Sequence, residues 1–210
     1  AGTVLRPVLT VVKTLTKGGL AVLDRVNAPP DSVTVERYSG VPDSLERLYA
    51  SAPPERIHVP RDRGFLDWRF GNPRWETTTY VASHGGDPVA SVVAATERHH
   101  DGSVTTTLLD LQPMAGGEAA SSAVESLFVG MLRDSRDADL VKVPGWLDSR
   151  LRRRYGFWRD TTISLSRLPH VSRVAVRPLD LDRPDPWHID GRDLTDDENW
   201  LLTMADLDIE

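Results

Sequence analysis

The 210-residue chain contains no cysteine, which excludes thiol nucleophiles, disulfides, iron–sulfur clusters and every cysteine-based zinc site. Long apolar runs are missing too. The longest stretch without a formal charge, residues 77–86, has ten residues, whereas a membrane-spanning helix needs about 18 or more. Arg6, Lys13 and Lys17 interrupt the apolar residues near the start, so no secretory leader is legible there. Basic clusters are few: only Arg150, Arg152, Arg153 and Arg154 lie together, a poor footprint for nucleic acid, which needs a broad basic face. A soluble protein of a reducing, cytoplasmic compartment is expected, without membrane or nucleic-acid partners.

What is there fits a globular chain: 40% of residues are hydrophobic and 27% charged. At this length the expectation is one large domain or two small ones. Net charge is −6, unevenly distributed. Residues 177–210 carry eleven acids against Arg177, Arg183 and Arg192, which leaves the rest of the chain slightly positive. We therefore expect an amphipathic helix or linker over residues 1–30, a folded domain over 31–177 and an acidic tail over 178–210. The chain opens on Ala1, which fits either a trimmed initiator methionine or the downstream part of a longer protein.

Leu5, Val8, Leu9, Val12 and Leu15 follow the spacing of one helical face. Residues 33–38 predict a short strand. Asp43 begins a helix with Leu45, Leu48 and Tyr49 on one side, and Asp43 is expected as its N-cap. In Arg61-Asp-Arg-Gly-Phe-Leu-Asp-Trp-Arg-Phe-Gly-Asn-Pro73, an aromatic helix is expected to end at Gly71-Asn72-Pro73. Three strands follow, over 77–83, 89–96 and 104–111, joined by turns at Gly85-Gly86 and Asp101-Gly102. A helix with Val124, Leu127, Phe128, Met131 and Leu132 on one face comes next. The pattern continues with a short buried strand over 139–143, a basic helix over 146–155, and strands over 161–168 and 171–176. This order predicts an α/β (α+β) fold with a mixed sheet flanked by helices.

The segment with most chemical content joins the strand end Leu109-Asp-Leu-Gln-Pro113, through Met114-Ala-Gly-Gly-Glu-Ala-Ala-Ser121, to the amphipathic helix. Small residues admit a ligand close to the backbone, and a helix N-terminus offers unpaired N–H groups and a positive dipole end. A diphosphate suits that device. Asp110 and Glu97 are the carboxylates available as a general base. Alternation along the strand places Asp110 and Gln112 on one side, opposite Leu109 and Leu111. Asp110 is expected to face a cleft as base or substrate anchor, or else to be a buried structural carboxylate. The six histidines show no metal-ligand spacing, and no metal is expected. Thr195-Asp-Asp-Glu198 reads as a capping box for a short helix that packs Trp200 on the body while the surrounding acids stay hydrated.

Together with the element order, Leu111-Gln112-Pro113, Gly116-Gly117-Glu118-Ala119-Ala120-Ser121 and Leu151-Arg-Arg-Arg-Tyr-Gly-Phe157 resemble the GNAT (GCN5-related) N-acyltransferase superfamily, over about residues 60–168. Phe65-Leu-Asp-Trp-Arg-Phe-Gly-Asn-Pro73 and the Tyr80 strand resemble the opening of such domains in multi-domain prokaryotic members, and the chain resembles a degenerate or downstream domain of one. The resemblance implies a GNAT-like mixed sheet and transfer of an acyl group, acetyl above all, from acetyl-CoA or another acyl-CoA to a small-molecule or peptide amine. It implies that Leu111, Gly116, Gly117, Ala119, Ala120 and Ser121 contact the acyl-CoA, bound between the fourth and fifth strands. Trp68 and Arg69 would line the acceptor side, and Asp110 would serve as base. The family's basic loop residue is replaced by Gly116. Its usual acid position holds Arg152, which could stabilise a thiolate but cannot donate a proton at neutral pH. Tyr155, three residues on, is the nearby phenol and the candidate acid. The alternative is a catalytically silent module of this fold that packs against a catalytic domain or subunit; the partners implied are a second such domain upstream or a second copy of the chain in a homodimer.

Overall fold

The computed structural model describes residues 33–51, 56–113, 118–144, 147, 149–157, 184–196, 199–200 and 203–206. The helix expected over 1–30, the loop glycines Gly116 and Gly117, and the strands expected over 161–168 and 171–176 lie outside these residues. None of the described helices is long and apolar enough to cross a membrane.

The elements run β1 (Val33–Ser39), α1 (Asp43–Ser51), α2 (Arg63–Phe70), β2 (Glu76–His84), β3 (Asp87–Arg98), β4 (Val104–Gln112), α3 (Glu118–Asp134), β5 (Leu140–Lys142) and α4 (Ser149–Arg154). A small ribbon of β6 (His188–Ile189) and β7 (Arg192–Asp193) follows, then a 3₁₀ turn, Met204–Asp206; another, Ser135–Asp137, lies between α3 and β5. The five main strands form one sheet in chain order, antiparallel from β1 to β4 and parallel between β4 and β5. This is the expected mixed sheet flanked by helices. A parallel step needs a crossover, and α3 supplies it.

Alternation along the strands sends their side chains to two opposite cores. On one face Tyr80, Ala82, Ala90, Val92, Ala94, Leu108 and Leu111 pack under α3, whose Val124, Leu127, Phe128, Met131 and Leu132 are all buried. On the other, Val93, Ala95 and Leu109 pack under α1 and α2 through Leu45, Tyr49, Leu66 and Phe70. The periodic residues read from the sequence are thus the ones that make contact.

Local chemistry sets the boundaries. Gly85 and Gly86 both have positive φ, 60° and 92°, the backbone a two-residue hairpin between right-twisted strands requires. Asp62 caps α2 by accepting the amide of Phe65 at 2.8 Å. Gly71 ends that helix, its N–H returning to the Asp67 carbonyl. Asp43 lies inside the first turn of α1 and accepts from Arg63 Nη1 at 2.8 Å, so it joins two helices. The short strand after α3 is not the buried one expected: Leu140 is 41% exposed. The acidic tail also departs from expectation. Thr203 and Ala205 are buried, and Asp206 lies inside the molecule.

Candidate active site

Two irregularities of β4 build the site. The first is a β-bulge: Val93 opposes Asp110, whereas the neighbouring Ala94 opposes Leu108, so Leu109 has no partner across the pair. A bulge inserts one extra residue and re-aims the side chains around it. Leu109 and Asp110 consequently both reach the core under α1 and α2, and Leu111 returns to the α3 side. Simple alternation, which put Asp110 opposite Leu109, fails at this position.

The second irregularity is a parting of β4 from β5. Their pairing covers Thr105, Thr106 and Thr107 against Leu140, Val141 and Lys142. β4 continues to Gln112, and among the described residues no strand pairs with 108–112 on that side. Backbone polar groups there need other partners. Leu111 itself is buried among the α3-side residues, and its N–H donates to the carboxylate of Asp110 at 2.9 Å. Beyond Pro113, Ala119, Ala120 and Ser121 fall in the opening turn of α3.

Asp110 is fully buried. Its Oδ2 accepts from the Tyr49 hydroxyl at 2.5 Å and lies 3.4 Å from Arg61 Nε. The terminal nitrogens of Arg61 fork onto Asp206 at 2.5 and 2.7 Å, and Nη2 also donates to Thr203 Oγ1 at 3.1 Å. The Arg61 side chain is 6% exposed and that of Asp206 1%. Burial pushes the Asp110 carboxyl above the usual carboxylate range, against the pull of Arg61, Tyr49 and the Leu111 amide. Burial, the charge of Asp110 and the bond to it hold Tyr49 well above the ordinary phenol value. Burial works against the Arg61 charge, but Asp206 and Asp110 outweigh it and raise the guanidinium further. Both Asp110 oxygens are engaged. The arrangement suits an anchor within the fold more than a base, which needs an open path to the acceptor or to water.

Tyr155, on the α3 side, stacks edge-on against Phe128 with centroids 5.5 Å apart and donates to Glu125 Oε1 at 2.8 Å. Arg154 Nη1 lies 2.8 Å from the same oxygen. Burial, then Glu125, raises the Tyr155 pKa, so the phenol keeps its proton at neutral pH. Arg152 donates through Nε to the Leu147 carbonyl at 2.8 Å, and Gly156, with φ 73°, closes α4 as the Phe157 amide returns to the Arg152 carbonyl. Trp68 is 71% exposed and meets Phe65 edge-on, whereas Arg69 is buried with its guanidinium 5.4 Å from the Trp75 ring centre. Trp68 and Arg69 therefore do not share one wall. Among the described residues no group of three or more potential metal ligands occurs.

Sequence reasoning missed Tyr49, Arg61, Thr203, Asp206 and Glu125. Asp110 is separated by 61 positions from Tyr49 and by 49 from Arg61, and no short motif spans such intervals. Tyr49 alone left a sign, as the polar member of an apolar helix face.

No family model matches the chain, and no curated protein does. Among solved structures it is similar to an aminoglycoside acetyltransferase, meta-AAC0020, from an uncultured soil metagenomic sample in complex with trehalose (14% identity, TM-score 0.42, covering 71% of this chain and 96% of that one). It is similar to Naa50 of Arabidopsis thaliana in complex with the bisubstrate analogue CoA-Ac-MVNAL (16%, TM-score 0.34, 53% and 71%). A ribosomal-protein-alanine N-acetyltransferase of Brucella melitensis biovar Abortus 2308 is also similar (12%, TM-score 0.39, 69% and 96%).

Proposed function

We propose that the chain is a GNAT-like N-acyltransferase domain that moves an acyl group from acyl-CoA to the amine of a small molecule or peptide in the cytoplasm. The observation that carries this reading is the parting of β4 from β5 beyond Thr107, next to the bulge and just before the N-terminus of a 17-residue helix. An extended, amide-bearing arm such as pantetheine can take the place of a missing strand along 108–112. The opening turn of α3, with Ala119, Ala120 and Ser121, faces a diphosphate with free N–H groups and a positive dipole end, helped by Gly116 and Gly117.

On this reading the neutral amine attacks the thioester carbonyl to form the C–N bond, the C–S bond breaks, the nitrogen gives up a proton to water, and the leaving thiolate takes one up. Tyr155 keeps its proton at neutral pH and is assigned as the acid; it is buried and its hydroxyl donates to Glu125, so delivery to the thiolate requires that hydroxyl to turn away from Glu125. Arg152 is assigned to the developing thiolate charge, and exposed Trp68 to acceptor contact. Asp110 and Arg69, both buried, are assigned to holding the site together.

Acetyl-CoA at 100 times its dissociation constant is expected to add about 2.7 kcal/mol of stability. For a chain of this size that raises the melting temperature by roughly 5–10 °C. No shift at millimolar acetyl-CoA refutes donor binding and leaves the silent module standing. Given turnover, Tyr155→Phe is expected to lower kcat by about 10²–10⁴ with KM for the donor nearly unchanged, as for loss of a general acid. An equal fall in donor affinity refutes the assignment.

A further inference from the structure

The C-terminal turn reaches the edge of β4 through an unbroken line of polar contacts. Asp206 takes both terminal nitrogens of Arg61, which leaves Nε as the Arg61 donor facing Asp110. Asp110 divides its oxygens: Oδ2 serves Tyr49 and Arg61, and Oδ1 holds the Leu111 amide. Thr203 fixes Asp206 in turn, its N–H donating to Asp206 Oδ2 at 2.8 Å while its hydroxyl lies 3.2 Å from the same oxygen. The members come from four parts of the chain, α1, the segment before α2, β4 and the C-terminal turn, and they converge where the bulge interrupts β4.

We propose that Asp206 and Arg61 are positioning residues that set the conformation of the β4 edge at Leu111 by controlling where the Asp110 carboxylate points. The physical argument is competition for donors. A buried guanidinium keeps as many charge-assisted bonds as geometry allows. With Asp206 in place its fork is satisfied, and Asp110 is free to spend one oxygen on the Leu111 amide. Without that charge, the terminal nitrogens turn to the remaining carboxylate, Asp110, and draw Oδ1 from Leu111. The C-terminal segment would thereby tune the strand edge assigned to the acyl donor. That consequence, unlike the backbone effect itself, rests on the proposed acyltransferase reading.

Amide hydrogen exchange at single-residue resolution tests the proposal on the full chain without any ligand. Asp206→Asn, nearly isosteric, is expected to speed exchange at Leu111 at least tenfold while the amides of Val92 and Leu108 keep their protection. Asp43→Asn, which breaks a surface contact with Arg63, is the control and leaves Leu111 unchanged. If Asp206→Asn does not fold, Thr203→Val loosens the same carboxylate and is expected to move Leu111 in the same direction, with Thr203→Ser restoring it. Unchanged exchange at Leu111 in a folded variant overturns the proposal, as does a loss of protection spread evenly over β3 and β4. Titration of the same variants with acetyl-CoA separates the two claims. Altered Leu111 exchange with no donor binding by the parent chain sinks the acyltransferase reading alone, whereas unaltered exchange sinks the positioning role alone.

Discussion

Asp101 and Asp193 sit at the surface, and each holds the amide and hydroxyl of a residue two positions on. Asp101 accepts from Ser103 N and Oγ at 2.9 and 2.6 Å, and Asp193 accepts from Thr195 N and Oγ1 at 2.8 and 2.7 Å. The Ser103 hydroxyl and amide pull the Asp101 carboxyl below its usual range, and the Thr195 amide and hydroxyl do so for Asp193. A carboxyl depressed in the folded state contributes stability above its unfolded value, about 3.9, and loses it as pH falls through the folded value. Asp101→Asn and Asp193→Asn are therefore expected to melt below the parent at pH 7, by a gap that narrows as pH falls below the unfolded value. A gap that does not narrow in acid thermal melts counts against the assignment. Asp110 has the opposite sign, since burial raises it: ionising it in the fold opposes stability as pH climbs past the unfolded value. The sequence shows why one of these was legible and the other not. Asp101 has its partner two residues away, in a turn marked by Gly102. Asp110 draws its partners from a helix, a loop and the C-terminal turn, and its orientation depends on a bulge that no alternation pattern encodes.

Elements with local causes were the legible ones. Helix α3 announces itself through five apolar residues on one face, all of which are buried. The β2–β3 hairpin follows from two glycines whose positive φ the turn demands. Helix α2 ends at Gly71, as its sequence suggests, whereas the Asp62 cap at its start is seen only in the structure; a cap of this kind is typically worth about 0.5–2 kcal/mol. Asp62→Ala is expected to lower stability by about 1 kcal/mol in urea unfolding, with an unchanged dependence on denaturant. Asp62→Asn, which keeps an acceptor for the Phe65 amide, should recover most of it. Equal losses in the two variants would mean that the cap bond does not hold the helix start. By contrast, β5 is short, half exposed and stabilised by its parallel pairing, so its burial was misjudged. The parting of β4 and β5, on which the functional reading depends, is a relation between two strands and has no signature in either one alone.

At the scale of the molecule, the described residues form a sheet with a core on each face, and the α1–α2 face includes Ala205 from the far end of the chain. Ile57 bonds to Asn199 through its amide at 2.8 Å and bridges to Trp200, whose indole N–H donates to the Leu194 carbonyl at 2.9 Å. Thr203, Ala205 and Asp206 then close over Arg61 and β4. Composition pointed instead to a hydrated acidic tail, because eleven acids in 34 residues outweigh the few apolar ones in any average. The average hides a division of labour, with Asp206 enclosed by a guanidinium while Asp185, for example, remains exposed. Removal of residues 203–210 separates the two pictures. A solvated tail makes almost no difference to stability, within about 0.5 kcal/mol. A docked segment takes with it two charge-assisted bonds to Arg61, a class of contact worth about 1.5–3 kcal/mol each, part of which Arg61 recovers through Asp110 and newly admitted water. The truncated chain is therefore expected to lose at least about 1.5 kcal/mol in urea unfolding. Asp185→Asn, which alters an exposed acid elsewhere in residues 177–210, is expected to change it by less than about 0.5 kcal/mol. Equal, small effects of the two changes would return residues 203–210 to the role of a solvated tail.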